Sequence, residues 1–141
     1  MNQKVLLSIC GKQSYMGQEP DVIELMTEGV LSNKDGIWNL EYQETELTGL
    51  EGVTTTFEIK PDEITLKRTG KLNSQMVFRE GVRHDSLYQM EFGALMLTVC
   101  ATHIHWNLTE SGGEIDLVYG IEIEQTNAGE ITYHLEIRPL Q

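Results

Sequence analysis

His103 and His105 stand two residues apart, and Glu110 follows five residues after His105. Residues at i and i+2 of a strand point the same way, so this set has the donor types and a spacing that one strand could offer to a metal ion. His134 is a further imidazole that could join them. The two cysteines, Cys10 and Cys100, both lie in apolar, strand-like runs, which suits buried reduced thiols better than a disulfide framework. Cys100 has His103 as its nearest basic neighbour, three positions away and so on the opposite strand face, which leaves a thiolate nucleophile unsupported. There is no Gly-x-Ser-x-Gly elbow, phosphate loop, Cys-x-x-Cys pair or dinucleotide fingerprint. No cofactor is expected, and no catalytic residue can be assigned.

The elements that must carry these residues are strands. Ile115, Leu117, Tyr119, Ile121 and Ile123 alternate with Glu114, Asp116, Val118, Gly120, Glu122 and Glu124, the period of a half-buried strand. Thr126-Asn127-Ala128-Gly129 then predicts a turn, and Ile131, Tyr133, Leu135 and Ile137 resume the alternation to complete a C-terminal hairpin. Further strands are predicted near Asp21 to Leu31, Ile37 to Leu47, Val53 to Ile59, Glu63 to Thr69, Gln75 to Glu80, Ser86 to Phe92 and Ala94 to Leu108, with turn residues between them. The apolar phase changes from Leu97, Val99 and Ala101 to Ile104, Trp106 and Leu108, which predicts a bulge that leaves His103 and His105 facing solvent. No stretch keeps a helical period over three turns. One all-β domain over residues 1–141 is expected, an antiparallel meander of about eight to ten strands rolled into a closed barrel, because closure both covers the apolar face and disposes of the edges.

The chain carries 22 acidic and 10 basic side chains, a net charge of −12, a poor match to a phosphate backbone; nucleic acid is disfavoured as a partner. Six of the ten basic residues, Lys60, Lys67, Arg68, Lys71, Arg79 and Arg83, lie between positions 60 and 84, where only Asp62, Glu63 and Glu80 oppose them. This basic hairpin could dock a partner. The apolar run Val5 to Cys10 is flanked by Lys4 and Lys12 and reads neither as a signal peptide nor as a membrane span. With the reduced thiols, that points to the cytoplasm and away from membranes. Oligomeric state is open, a homodimer included.

Alternation also marks polar residues on core-facing positions. Glu44 shares the face of Trp38, Leu40 and Tyr42, and Arg68 that of Ile64 and Leu66. Thr55 lies with Phe57 and Ile59, Tyr88 with Met90 and Phe92, and Tyr119 with its isoleucines. A lone inward carboxylate or guanidinium is costly, so Glu44 and Arg68 are expected close together or at a barrel mouth. The functional possibility is a ligand-binding patch of Tyr42, Glu44, Thr55, Arg68, Tyr88 and Tyr119, in which Arg68 holds an anionic head group and Trp38, Phe57, Phe78 and Met90 line an apolar cavity. The blander possibility is a hydrogen-bonded plug at one end of the barrel.

The segments Tyr42-Gln43-Glu44, Gly52-Val53-Thr54-Thr55, Arg68-Thr69-Gly70, Met76-Val77-Phe78, Tyr88-Gln89-Met90-Glu91-Phe92-Gly93 and Gly112-Gly113, with Tyr119, resemble the YwiB-like family of small bacterial proteins. The resemblance implies a calycin-like barrel, the architecture of lipocalins, and no activity. The spacing of His103, His105 and Glu110 is also similar to the metal motif of cupins. Leu117 stands where that motif has glycine, and its second half is missing. The leading expectation is a non-catalytic barrel that binds a small molecule. The alternatives are a cupin-like metal-dependent enzyme and a protein that docks a partner through the basic hairpin.

Overall fold

The computed structural model describes residues 2–15, 18–46, 50–90 and 92–140, without the side chain of Met90. Ten antiparallel strands follow one another: β1 (Asn2–Ser14), β2 (Asp21–Lys34), β3 (Ile37–Gln43), β4 (Val53–Lys60), β5 (Glu63–Gly70), β6 (Ser74–Phe78), β7 (Arg83–Met90), β8 (Gly93–Thr109), β9 (Gly112–Ile123) and β10 (Thr126–Pro139). Their spatial order is β6-β5-β4-β3-β2-β1-β10-β9-β8-β7. The first and last strands are thus joined by a full ladder, from Val5↔Pro139 to Ser14↔Glu130.

Closure is completed between β6 and β7. There Asn73 and Gln89 exchange two backbone bonds of 2.9 and 2.8 Å, and the His84 imidazole accepts from the Val77 amide at 3.4 Å. The result is a nearly closed barrel, as alternation predicts. No helix among the described residues is long and apolar enough to cross a membrane.

The inward face is packed solid. Leu7, Leu31, Leu40, Ile59, Ile64 and Leu117 have no accessible surface, and each such side chain stabilises the fold by about 1.5–3 kcal/mol. Phe57 and Phe78 belong to this packing, and Trp38 packs half-buried on the same core. The expected apolar cavity along the barrel axis is therefore filled by side chains, and the side chain of Met90 lies outside the described residues.

Four local expectations need correction. The last hairpin turns at Glu124 and Gln125, both at positive φ, immediately before the Thr126–Gly129 segment. That segment is instead a bulge, with the Gly129 amide donating to Asn127 Oδ1 at 2.7 Å. β3 ends at Gln43, although the Glu44 amide still donates to the Val53 carbonyl at 2.9 Å; Leu47 lies outside the described residues. Phe92 does not continue the inward face of β7: it sits before β8 and is 96% exposed. Cys10 and Cys100 are free and half-buried, on the outward phase of β1 and β8, so neither is a core thiol.

Candidate functional site

Tyr42 pairs with Thr55, Thr55 with Arg68, and Arg68 with Ser74, so four polar side chains form one row across β3, β4, β5 and β6 on the inward face. Glu44 follows Tyr42 by two residues and joins the same face. The period of two along each strand and the register across strands suffice to gather them.

Thr55 has no accessible surface, and its hydroxyl donates to Glu44 Oε2 in a short bond. Tyr42 is also hydrogen-bonded to the Glu44 carboxylate. Arg68 Nε lies 4.0 Å from Glu44 Oε2, with only 11% of the arginine side chain exposed. Arg68 Nη2 donates to the Tyr133 hydroxyl at 3.2 Å, while Nε is buried without a hydrogen-bond partner. Ser74 Oγ, beside it in register, and Ser86 Oγ on β7 are likewise buried and unpaired.

Burial works against the Arg68 cation, yet Tyr133, Tyr119 and Glu44 together hold its pKa above the ordinary guanidinium value. Burial, reinforced by the Glu44 charge, pushes the Tyr42 phenol well up; burial does the same to Tyr119. Both are therefore neutral donors at physiological pH.

This cluster lies beneath an opening at one mouth of the barrel. A cleft of ≈170 Å³ has Arg68, Glu44, Tyr42 and Tyr133 among its lining residues, with 11% of the Arg68 side chain and 2% of the Glu44 side chain accessible. Its walls are Ile9, Ile23, Leu25, Leu50 and Ile131, and Lys12 and Asp21 also border it. Ile23 holds an inward phase on β2 yet remains 46% exposed where it borders the cleft. Gly11, paired with Tyr133, leaves room for that ring: an added Cβ would lie 3.3 Å from its Cε1. Behind the cleft, Tyr133 stacks on Tyr119 with centroids 6.4 Å apart, and Tyr119 meets Phe78 at 4.5 Å, tying the site to the core.

Of the residues singled out by alternation, Tyr42, Glu44, Thr55 and Arg68 come together. Tyr119 stands behind Tyr133 rather than in the cleft. Tyr88 packs half-buried against the core on β7 and does not line the cleft. Tyr133 was not among the site residues expected, although it occupies the same inward phase of β10 as Ile131 and Leu135.

The histidine pattern resolves differently. His103 and His105 are exposed, with the register shift between Ala101 and His103 that the phase change predicts, and Glu110 lies in the turn after β8. Among the described residues, the grouping within metal-ligating reach is Glu114, Asp116 and His134, on the outer face. There both imidazole nitrogens are already engaged, Nδ1 with Asp116 at 2.6 Å and Nε2 with Glu136 at 3.4 Å. Hydrogen bonding of the imidazole between the two carboxylates accounts for that arrangement without a metal.

A wider depression of ≈650 Å³ lies beside the Arg79–Val82 turn, lined in part by Pro61, Glu80 and Trp106. Its charged groups are occupied: Arg79 pairs with Asp62 at 3.0 Å, and Glu80 accepts from the Ile104 amide at 2.8 Å. The smaller cleft is the better candidate because, among the described residues, it has a buried, incompletely paired cation in its lining. In the basic hairpin, Lys60 lies between Glu58 and Glu63, and Arg83 pairs with Glu122 of β9 at 2.9 Å.

A ten-stranded antiparallel barrel, packed through its interior and cleft at one mouth, is the class of protein these observations define. A family model described as "Domain of unknown function (DUF1934)" matches residues 7–137, and the chain belongs to that family. It is 30% identical over 117 residues to the "Uncharacterized beta-barrel protein YwiB" of Bacillus subtilis (strain 168), covering 80% of this chain and 81% of that protein. The crystal structure of the ywiB protein from Bacillus subtilis matches with a TM-score of 0.87 at 22% identity, over 99% of this chain and 94% of that one, which shows the shared barrel.

Proposed function

We propose that this chain is a non-catalytic barrel that holds one small molecule in the mouth cleft, with Tyr42, Glu44, Arg68 and Tyr133 as the polar anchors. One observation carries the reading: the inward Arg68–Glu44 pair is not sealed by packing but forms the base of an open cleft with apolar walls, and Arg68 Nε is left unpaired. A merely structural plug would have every donor satisfied and its apolar roof closed.

Thr55 beside Glu44 has the connectivity of a nucleophile next to a base, but Thr55 presents no surface to the cleft. No substrate carbonyl could reach it, and this favours binding over group transfer. Resemblance to lipocalin-like barrels agrees with a binding role only by analogy of fold.

Native mass spectrometry of protein purified from its own host tests the reading. The wild type is expected to carry a small adduct that gentle activation removes, and Ile23→Trp, which fills the cleft from its wall, is expected to lose it. An adduct retained by Ile23→Trp would place the ligand elsewhere.

A further inference from the structure

The charges around the cleft cancel at each level. Arg68 and Glu44 oppose one another at its base, and Lys12 and Asp21 are the other two charged residues that border it. A bound anion would leave an unbalanced charge beside the Glu44 carboxylate, and a bound cation would leave one beside Arg68. Either arrangement is costly beside two charges whose side chains are only 11% and 2% exposed. A head group that is neutral overall avoids both costs, provided that it offers an acceptor to the guanidinium and a donor to the carboxylate or a tyrosine oxygen.

The walls supply the second half of the description. Ile9, Ile23, Leu25, Leu50 and Ile131 give the cleft five aliphatic side chains, and inward-facing Ile23 remains 46% exposed among the described residues. The size supplies the third. A volume of ≈170 Å³ is below that of ordinary drug-sized pockets, which suits a small molecule with a short aliphatic body.

We infer that the cleft selects a small neutral molecule with a branched aliphatic body and an amide-type head, whose C=O faces Arg68 and whose N–H faces the Glu44 side. This rests on the binding reading above and narrows it, replacing the anionic head group suggested by Arg68 alone.

Three probes with one body and different heads test the inference: 3-methylbutanamide, 3-methylbutanoate and 3-methylbutylamine. Each is titrated to about 20 mM against the full chain, with saturation-transfer and amide-shift NMR as readouts. Molecules this small bind at best in the millimolar range in a site not built for them, so the comparison rests on relative affinity. The amide is expected to bind at least tenfold more tightly than either charged analogue, with shifts centred on Gly11, Ile23 and Tyr133. Ile23→Trp is expected to abolish those shifts while leaving the rest of the spectrum folded, which separates loss of binding from loss of folding.

Tighter binding of the carboxylate or the amine at these residues would overturn the neutral-head inference and leave the binding cleft standing. Absence of all three from the cleft would overturn both.

Discussion

Arg68 Nε and Glu44 Oε2 face each other at 4.0 Å beneath the mouth of the barrel, a separation too long for a hydrogen bond between two groups that are both largely buried. Thr55 and Tyr42 hold the carboxylate from one side, and Tyr133 holds the guanidinium from the other. The pair is thus fixed from behind while its front remains open to the cleft.

Removing the cation strands the carboxylate. Arg68→Met is expected to cost about 3 kcal/mol, and the double change with Glu44→Leu to cost clearly less than the sum of the single changes. Urea unfolding of the four proteins measures this coupling. Additive effects would mean that the two charges do not stabilise one another.

Tyr42 and Tyr119 have phenol pKa values raised above the ordinary 10, by burial first and, at Tyr42, by Glu44 next. A raised folded-state value means that their contribution to stability is complete below about pH 10 and is lost as pH rises beyond it. Phenolate absorbance from these two rings should therefore appear only with alkaline unfolding followed by circular dichroism. Tyr42→Phe and Tyr119→Phe should each shrink that step; a smaller reversible phase near pH 10 would contradict this.

His134 has a raised pKa, chiefly from its hydrogen bond with Asp116, although its side chain is 39% exposed. Its contribution is full below about pH 6.5 and declines as pH rises through the higher folded-state value. Solvent screening limits the effect to under about 1 kcal/mol. The stability gap between wild type and His134→Gln should be larger at pH 5.5 than at pH 9, and a gap that is independent of pH would count against it.

Gly113 has φ +147°, and a Cβ there would lie 1.8 Å from the Asn107 carbonyl oxygen. Gly113→Ala is expected to cost roughly 2 kcal/mol or more, since both the left-handed backbone and the β8–β9 contact must give way. Gly36→Ala meets nothing within 4 Å and carries only the positive-φ penalty of about 1 kcal/mol. Equal denaturation midpoints for the two variants would refute the close-contact argument.

Most of the barrel was legible because a strand period of two is visible wherever one face is buried. The Tyr42–Thr55–Arg68 row followed from the same rule, as its members lie on consecutive hairpins with short turns. Tyr133 was missed for a different reason. It reaches Arg68 through a barrel closure spanning 65 residues of sequence, and local alternation cannot place β10 against β1 or across the mouth from β5. The inward phase of Tyr133 was nevertheless readable and would have flagged it, as it flagged Tyr119. The turn at Glu124 and Gln125 was hidden because neither residue is glycine, asparagine or aspartate, whereas the bulge at Gly129 carries the more conspicuous turn chemistry.

The seam between β6 and β7 has a topological consequence. A polypeptide entering at β7, running through β10 and directly on into β1, and leaving at β6 would visit every strand in its spatial order, with each full ladder formed between sequence neighbours. A circular permutant opened between Arg79 and Val82, with Pro139 tethered to Asn2, should therefore retain the barrel, and the place to cut it is the line bridged by isolated pairs, Asn73 with Gln89 and Arg79 with Val82, rather than by a full ladder.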